Sequence, residues 1–208
     1  MSKNLTAKAG RPKSAAKRVQ ILQSAGKLFL ISGFGGCSME MVAQDSGVSK
    51  QTVYSHFNNK EALFIAVIEQ KCSEYQLDEI NIQSSTDDFI AVLRETGLQI
   101  IKLFHDPQVI AIYRVVIAEA ASNPRVAELF YQTGPRHSLD VLAKGFFHSC
   151  GPQMTAKLAD KCAVTFFDLL KSEFHVKSTL GLEFELSEAQ QRAQVEFAVT
   201  LIQVLINK

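Results

Sequence analysis

Residues 38–57 read SMEMVAQDSGVSKQTVYSHF, and two short helices are written into them. Ser38 and Ser49 each precede a run with helical spacing of apolar residues. A serine hydroxyl at that position accepts the amides that a helix start leaves unpaired. Gly47-Val48 separates the two runs, and glycine takes a left-handed turn without a Cβ penalty. Ala43, four residues before the glycine, is small enough for a second helix to cross closely, while Val48 and Val53 can pin that helix to a core. This is the pattern of a helix-turn-helix, though any helical hairpin with a glycine turn shares it. In the first reading Lys50, Gln51, Tyr54 and Ser55 face outward, toward a major groove.

The flanks extend the pattern. Residues 1–14 are polar and basic and read as a flexible arm. A helix starts near Ala15, with Ile21, Leu22, Ala25, Leu28 and Phe29 on one face, and Gly33, Gly35 and Gly36 stop it. Asn59 caps a fourth helix from Lys60 toward Leu77. Charge is uneven: the net charge is +1, but residues 1–60 hold nine Lys/Arg against Glu40 and Asp45, and the first twenty residues hold six cations and no acid. Such asymmetry fits a polyanion-binding head or a solubilising basic tail.

Helices follow to the end of the chain. One opens at Thr86 or Asp87 and ends near Phe104. Asp106-Pro107 and Asn123-Pro124 open the next two, with proline at its favoured first position. Gly134-Pro135 should break or kink the following segment. Gly151-Pro152 marks another boundary, before a helix to about Phe174. Ser187 with Gln190 forms a capping box for a last helix to about Asn207. The expected fold is all-α: an arm (1–14), a helix-turn-helix domain (15–62) and a helical regulatory and dimerisation bundle (63–208). No apolar run approaches the ~20 residues of a membrane span, and no hydrophobic signal core is present, so a cytoplasmic location is expected. Cys37, Cys72, Cys150 and Cys162 are far apart in the chain and suggest neither a zinc site nor a disulfide framework. No cofactor or metal is expected.

Residues 11–64 resemble the DNA-binding domain of the TetR family of regulators. The resemblance is carried by Gly10-Arg11-Pro12-Lys13, Ile21-Leu22-Gln23-Ser24-Ala25, Leu28-Phe29, Gly33-Phe34, Val42-Ala43, Gly47-Val48-Ser49, Val53-Tyr54-Ser55-His56-Phe57 and Asn59-Lys60-Glu61-Ala62-Leu63-Phe64. The family commonly has a threonine near Cys37; here Ser38 is left as cap and phosphate contact. The resemblance implies that Tyr54, His56 and Lys60 face phosphates, with Ser38, Ser49 and Thr52 supplying hydroxyls beside them. Lys50 and Gln51 are the candidates for base edges. Arg11 and Lys13 belong to an arm that can lie in an adjacent minor groove. The implied partners are a palindromic duplex operator and a second copy of the chain.

The helix over 107–121 is apolar nearly all round, with Arg114 and Glu119 as its charges, and is expected inside a bundle. The run 113–120, with Phe130-Tyr131 and Gly134-Pro135, resembles the AefR-like subgroup of TetR C-terminal domains, which implies a small hydrophobic effector. Phe104, Tyr113, Arg114, Ile117, Phe166, Phe167 and Leu170 are the candidate effector contacts, against the plainer reading of ordinary core. Leu158, Cys162 and Leu169, with Phe197, Leu201 and Leu205, form apolar faces expected to pair with those of a second subunit. The expected function is a ligand-responsive homodimeric repressor, released from its operator by a small hydrophobic molecule. A redox-responsive repressor sensing through Cys37 or Cys72 is the alternative. A small helical enzyme is a third reading, but His105, His137, His148 and His175 show no pairing with an acidic or cysteine motif.

Overall fold

The computed structural model describes residues 14–77, 86–182 and 185–206, and every regular element among them is helical. The head is built from α1 (Ala15–Gly36), α2 (Met39–Asp45), α3 (Lys50–His56) and α4 (Lys60–Glu74). The body holds α5 (Thr86–His105), α6 (Pro107–Glu119), α7 (Pro124–Tyr131), α8 (His137–Ser149), α9 (Ala156–Leu180) and α10 (Glu188–Ile206). Arg11 and Lys13, with the arm they belong to, lie outside the described residues.

Local chemistry sets the helix starts. Ser38, Ser49 and Asn59 accept the amides of Met41, Thr52 and Ala62. Asp106 caps α6 through the Gln108 amide at 2.7 Å, ahead of Pro107. Ser187 and Gln190 exchange bonds as a capping box: the Ser187 amide donates to the Gln190 side chain at 2.9 Å, and the Gln190 amide to the Ser187 hydroxyl at 3.4 Å.

Two hydrophobic cores result. The body's core gathers Leu93, Ile100, Phe104, Leu142, Phe146, Phe166 and Ile202. The head's core is centred on Phe29, Phe34 and Phe64, whose ring centroids lie 5.2–5.8 Å apart. It reaches beyond the boundary expected at residue 62, through Leu63 to Cys72 of α4, and takes in Ile112 and Val116 of α6 and Val126, Leu129 and Phe130 of α7. Helix α6 is therefore a wedge between head and body. It is not the fully enclosed helix its composition suggests: Arg114 and Ala118 are exposed, and Ile117 is 61% exposed.

Two further departures concern helix continuity. Gly134-Pro135 does not break the chain. A π turn over Gln132–Arg136 joins α7 to α8 and absorbs the proline, which is how a helix accommodates a residue that cannot donate. Helix α9 runs past Phe174 to Leu180, with a kink at Ser172 (φ 46°, ψ −165°) that no glycine or proline announces.

The head is tied to the body at the end of α1. Gly33 has φ 70° and ψ 175°, which turns the chain out of the helix. On one side of this turn the Lys60 ammonium donates to the carbonyls of Phe34 (2.7 Å), Cys37 (2.9 Å) and Gly35 (3.4 Å). On the other, Glu119 at the end of α6 accepts the Gly35 amide at 3.0 Å, and its carboxylate fills the space a Cβ on Gly33 would need. The start of α6 is tied to α4, because the Tyr75 hydroxyl donates to Asp106 at 3.0 Å and Lys71 pairs with it at 3.3 Å. Gly33→Ala forces a side chain into a left-handed conformation and against Glu119. It should lower stability by about 1–3 kcal/mol, read as a shifted urea midpoint; an unchanged midpoint would mean that the turn carries no such constraint.

Candidate nucleic-acid interface

Gly47, at φ 67° with open space around it, makes the turn between α2 and α3. The Val48 amide closes it by donating to the Ala43 carbonyl at 3.1 Å. Val42 and Val53 are fully buried and Ala43 and Phe57 nearly so, so α3 is pinned along one side. Its other side, Lys50, Gln51, Tyr54 and Ser55, stands exposed. Ser38 and Ser49 use their hydroxyls as caps, and Thr52 shares a hydrogen bond with Ser49 at 2.8 Å. His56 is half-buried beside Phe57 at the end of α3.

The head's cations are more engaged than their number suggests. Lys27 pairs with Asp45 at 2.8 Å. Arg18 lies over the Phe57 ring at 5.4 Å. Lys50 pairs with Glu40 of α2 and lies 5.8 Å from the Tyr54 ring. The Lys50 ammonium holds the Glu40 carboxyl below its ordinary range, and the carboxylate raises the lysine in return. The Lys60 ammonium, expected to face a phosphate, is bonded here to three backbone carbonyls, an arrangement that only tertiary packing reveals. Glu40, which the sequence reading did not place beside the recognition helix, is brought there by its pairing with Lys50.

Cys37, a redox candidate, is buried, and burial pushes its thiol above the ordinary value although Lys60 opposes the shift. A thiol held protonated is a poor nucleophile. Cys72 is likewise buried. Among the described residues no group of His, Cys, Asp or Glu could hold a metal ion. Nor is any described helix long and apolar enough to cross a membrane.

The body contains a small cavity of about 40 Å³ where α4, α5, α6 and the π turn meet. Of the seven expected effector contacts Phe104, Tyr113 and Phe167 line it, joined by Cys72, Phe130, Gly134 and Ser138 from outside that set. The other four do not. Phe166 and Leu170 are buried in the core away from this lining. Arg114 is exposed and donates to the Thr179 carbonyl at 3.1 Å, and Ile117 faces outward one turn further along α6. His175 packs its ring on Tyr113 (4.7 Å) and Phe104 (5.5 Å). Its buried Nδ1 has no hydrogen-bond partner among the described residues, and burial, with the nearby Lys171 charge, lowers its pKa.

The outer face of α10 carries exposed apolar residues, Phe197 (59%), Leu201, Val204 and Leu205. On α9 Val164 is exposed among charged neighbours, Lys157, Asp160, Lys161 and Asp168. Leu158 and Leu169 are half-buried against the core. Cys162 is a correction: it is buried inside the body, and Val164, two residues on and therefore on a different side of the helix, takes the outward place.

Residues 21–67 match the model of the bacterial regulatory proteins of the tetR family, and residues 91–204 match the C-terminal domain of AefR-like transcriptional repressors. The HTH-type transcriptional regulator UidR of Escherichia coli is 31% identical over 113 residues, a match spanning 54% of this chain and 56% of UidR. Thus the match takes in only about half the length of that relative. The flavonoid-responsive regulator FrrA superposes with a TM-score of 0.69 at 27% identity, covering 92% of this chain and 97% of FrrA. A TetR-family regulator from Mesorhizobium loti shares the fold, with a TM-score of 0.69 at 23% identity over 94% of this chain and 98% of the other. Family members of this kind bind DNA through their helix-turn-helix and are not enzymes. The chain belongs to the TetR family of transcriptional regulators.

Proposed function

We propose that this protein is a homodimeric repressor that leaves a palindromic operator when a small, uncharged, hydrophobic molecule enters the body. The observation that carries the reading is the placement of α6. Val109, Ile112 and Tyr113 of this helix line the cavity. Its start is tied to α4 through Asp106 and its end to α1 through Glu119. A ligand that widens the cavity must move α6, and so acts on both helices that carry the helix-turn-helix. A volume of about 40 Å³ is far below the 300–1,000 Å³ of a filled drug-sized site. Ligand therefore favours a wider state, and it weakens operator binding only if that state binds DNA less well. The phenylalanine and tyrosine walls suit an aromatic compound, and the flavonoid response of FrrA supports such a class.

The dimer reading rests on the stripe of Phe197, Leu201, Val204 and Leu205 on α10, with Val164 on α9. A second copy of the same helix pair covers such a stripe by two-fold symmetry. That symmetry also sets two recognition helices against successive major grooves.

Leu201→Glu with Val204→Glu should give a helical monomer in sedimentation velocity and lower operator affinity at least about tenfold by losing the second half-site. A wild-type protein that is already monomeric at micromolar concentration would contradict the dimer. In a thermal-shift screen, uncharged aromatic compounds should raise the melting temperature and weaken operator binding. Phe167→Leu, on the cavity wall away from the head, should change the affinity for those compounds and leave ligand-free operator affinity nearly as it is. Compounds bound equally by both proteins would place the effector elsewhere.

A further inference from the structure

Glu40 stands where a DNA-binding surface has least use for an acid. It lies in the first turn of α2, with its side chain 52% exposed, and its carboxylate is bonded to the ammonium of Lys50, the first residue of α3. The early residues of a recognition helix are the ones that reach base edges. Tyr54, one turn along α3, is the neighbour of the same lysine. The pair therefore sits at the end of the helix-turn-helix that enters the groove. A carboxylate there is held by Lys50 and favoured by the first turn of α2, but it repels phosphates unless a base donates to it.

In the major groove a C·G pair presents the cytosine N4 amino group beside the O6 and N7 acceptors of guanine. A carboxylate accepts from the first and a lysine donates to the second. Glu40 and Lys50 offer an acceptor and a donor side by side, each holding the other in place. We propose that Glu40 is a specificity-determining residue that reads the cytosine of a C·G pair in each half-site, with Lys50 on its guanine. Glu40 also keeps Lys50 from serving as a general phosphate contact, so the carboxylate suppresses binding to unrelated DNA. The proposal depends on DNA binding by the helix-turn-helix and not on the effector or the dimer interface proposed above.

The test is selection from a randomised duplex library with the wild type, Glu40→Ala, Glu40→Gln and Lys50→Ala, followed by anisotropy titrations on the selected site and on unrelated duplex at several salt concentrations. The wild type should enrich a C·G pair at one position of the half-site. Glu40→Ala should lose that preference, by about tenfold or more against the other bases, and leave the remaining positions unchanged. It should bind unrelated duplex more tightly, with a salt slope steeper by about one unit, because Lys50 is released to a phosphate. Glu40→Gln should fall between the two, since an amide oxygen still accepts. Lys50→Ala should weaken the same position without the gain on unrelated DNA. Misfolding lowers both affinities, so gain on one and loss on the other cannot come from a damaged head. An unchanged base profile in Glu40→Ala, or a lost preference at a position that is not C·G, would overturn the assignment. A wild type that enriches no sequence would overturn it together with the DNA-binding reading it stands on.

Discussion

Opposite charges hold the turn over residues 33–37 from two sides. The Lys60 ammonium gathers three of its carbonyls, and the Glu119 carboxylate takes the Gly35 amide. One of these residues opens α4 and the other closes α6, so the turn is where the head's scaffold and the body's wedge helix meet. Gly33 makes the approach possible: its left-handed backbone directs the chain out of α1, and its missing side chain leaves the space that Glu119 occupies. The placement of α2, and through Gly47 that of α3, follows from where this turn releases the chain.

Helix α6 accordingly acts less as a core element than as a strut with two fixed ends. Ile112 and Val116 on one side belong to the head's core, while Val109 on another belongs to the body's. Tyr113 packs against both. Tyr113 and the π turn opposite it line the small cavity at the joint between the two cores. Space at such a joint is a sensitive place to add volume, because packed interiors respond to extra atoms by shifting whole helices instead of compressing.

What the sequence made legible was local. Ser38, Ser49, Asn59, Asp106-Pro107 and the Ser187–Gln190 box announce helix starts because a cap acts within four residues of itself. Gly47 announces the hairpin for the same reason. The rest depends on neighbours that are remote in the chain. Ile117 looks like a buried residue, but no described residue covers it on that side of α6. Gly134-Pro135 reads as a break, but the surrounding helices hold it in a widened turn. The kink at Ser172 carries no local signal. Lys60 and Glu40 are the clearest cases in the head: one cation turns inward to backbone carbonyls and one acid sits with an exposed lysine at the start of α3. Charge counting treats both as ordinary members of a basic head.

Helix α6 fixes the shape of the head through the bond of Glu119 to the Gly35 amide. Residue-resolved amide hydrogen exchange on the full chain, wild type against Glu119→Ala, reads out that tie. The Gly35 amide should be strongly protected in the wild type. Loss of the carboxylate should speed its exchange at least about tenfold and carry faster exchange into α2 and α3 while the body's core stays protected. A Gly35 amide that already exchanges freely in the wild type, or a substitution that leaves α2 and α3 unaffected, would contradict it.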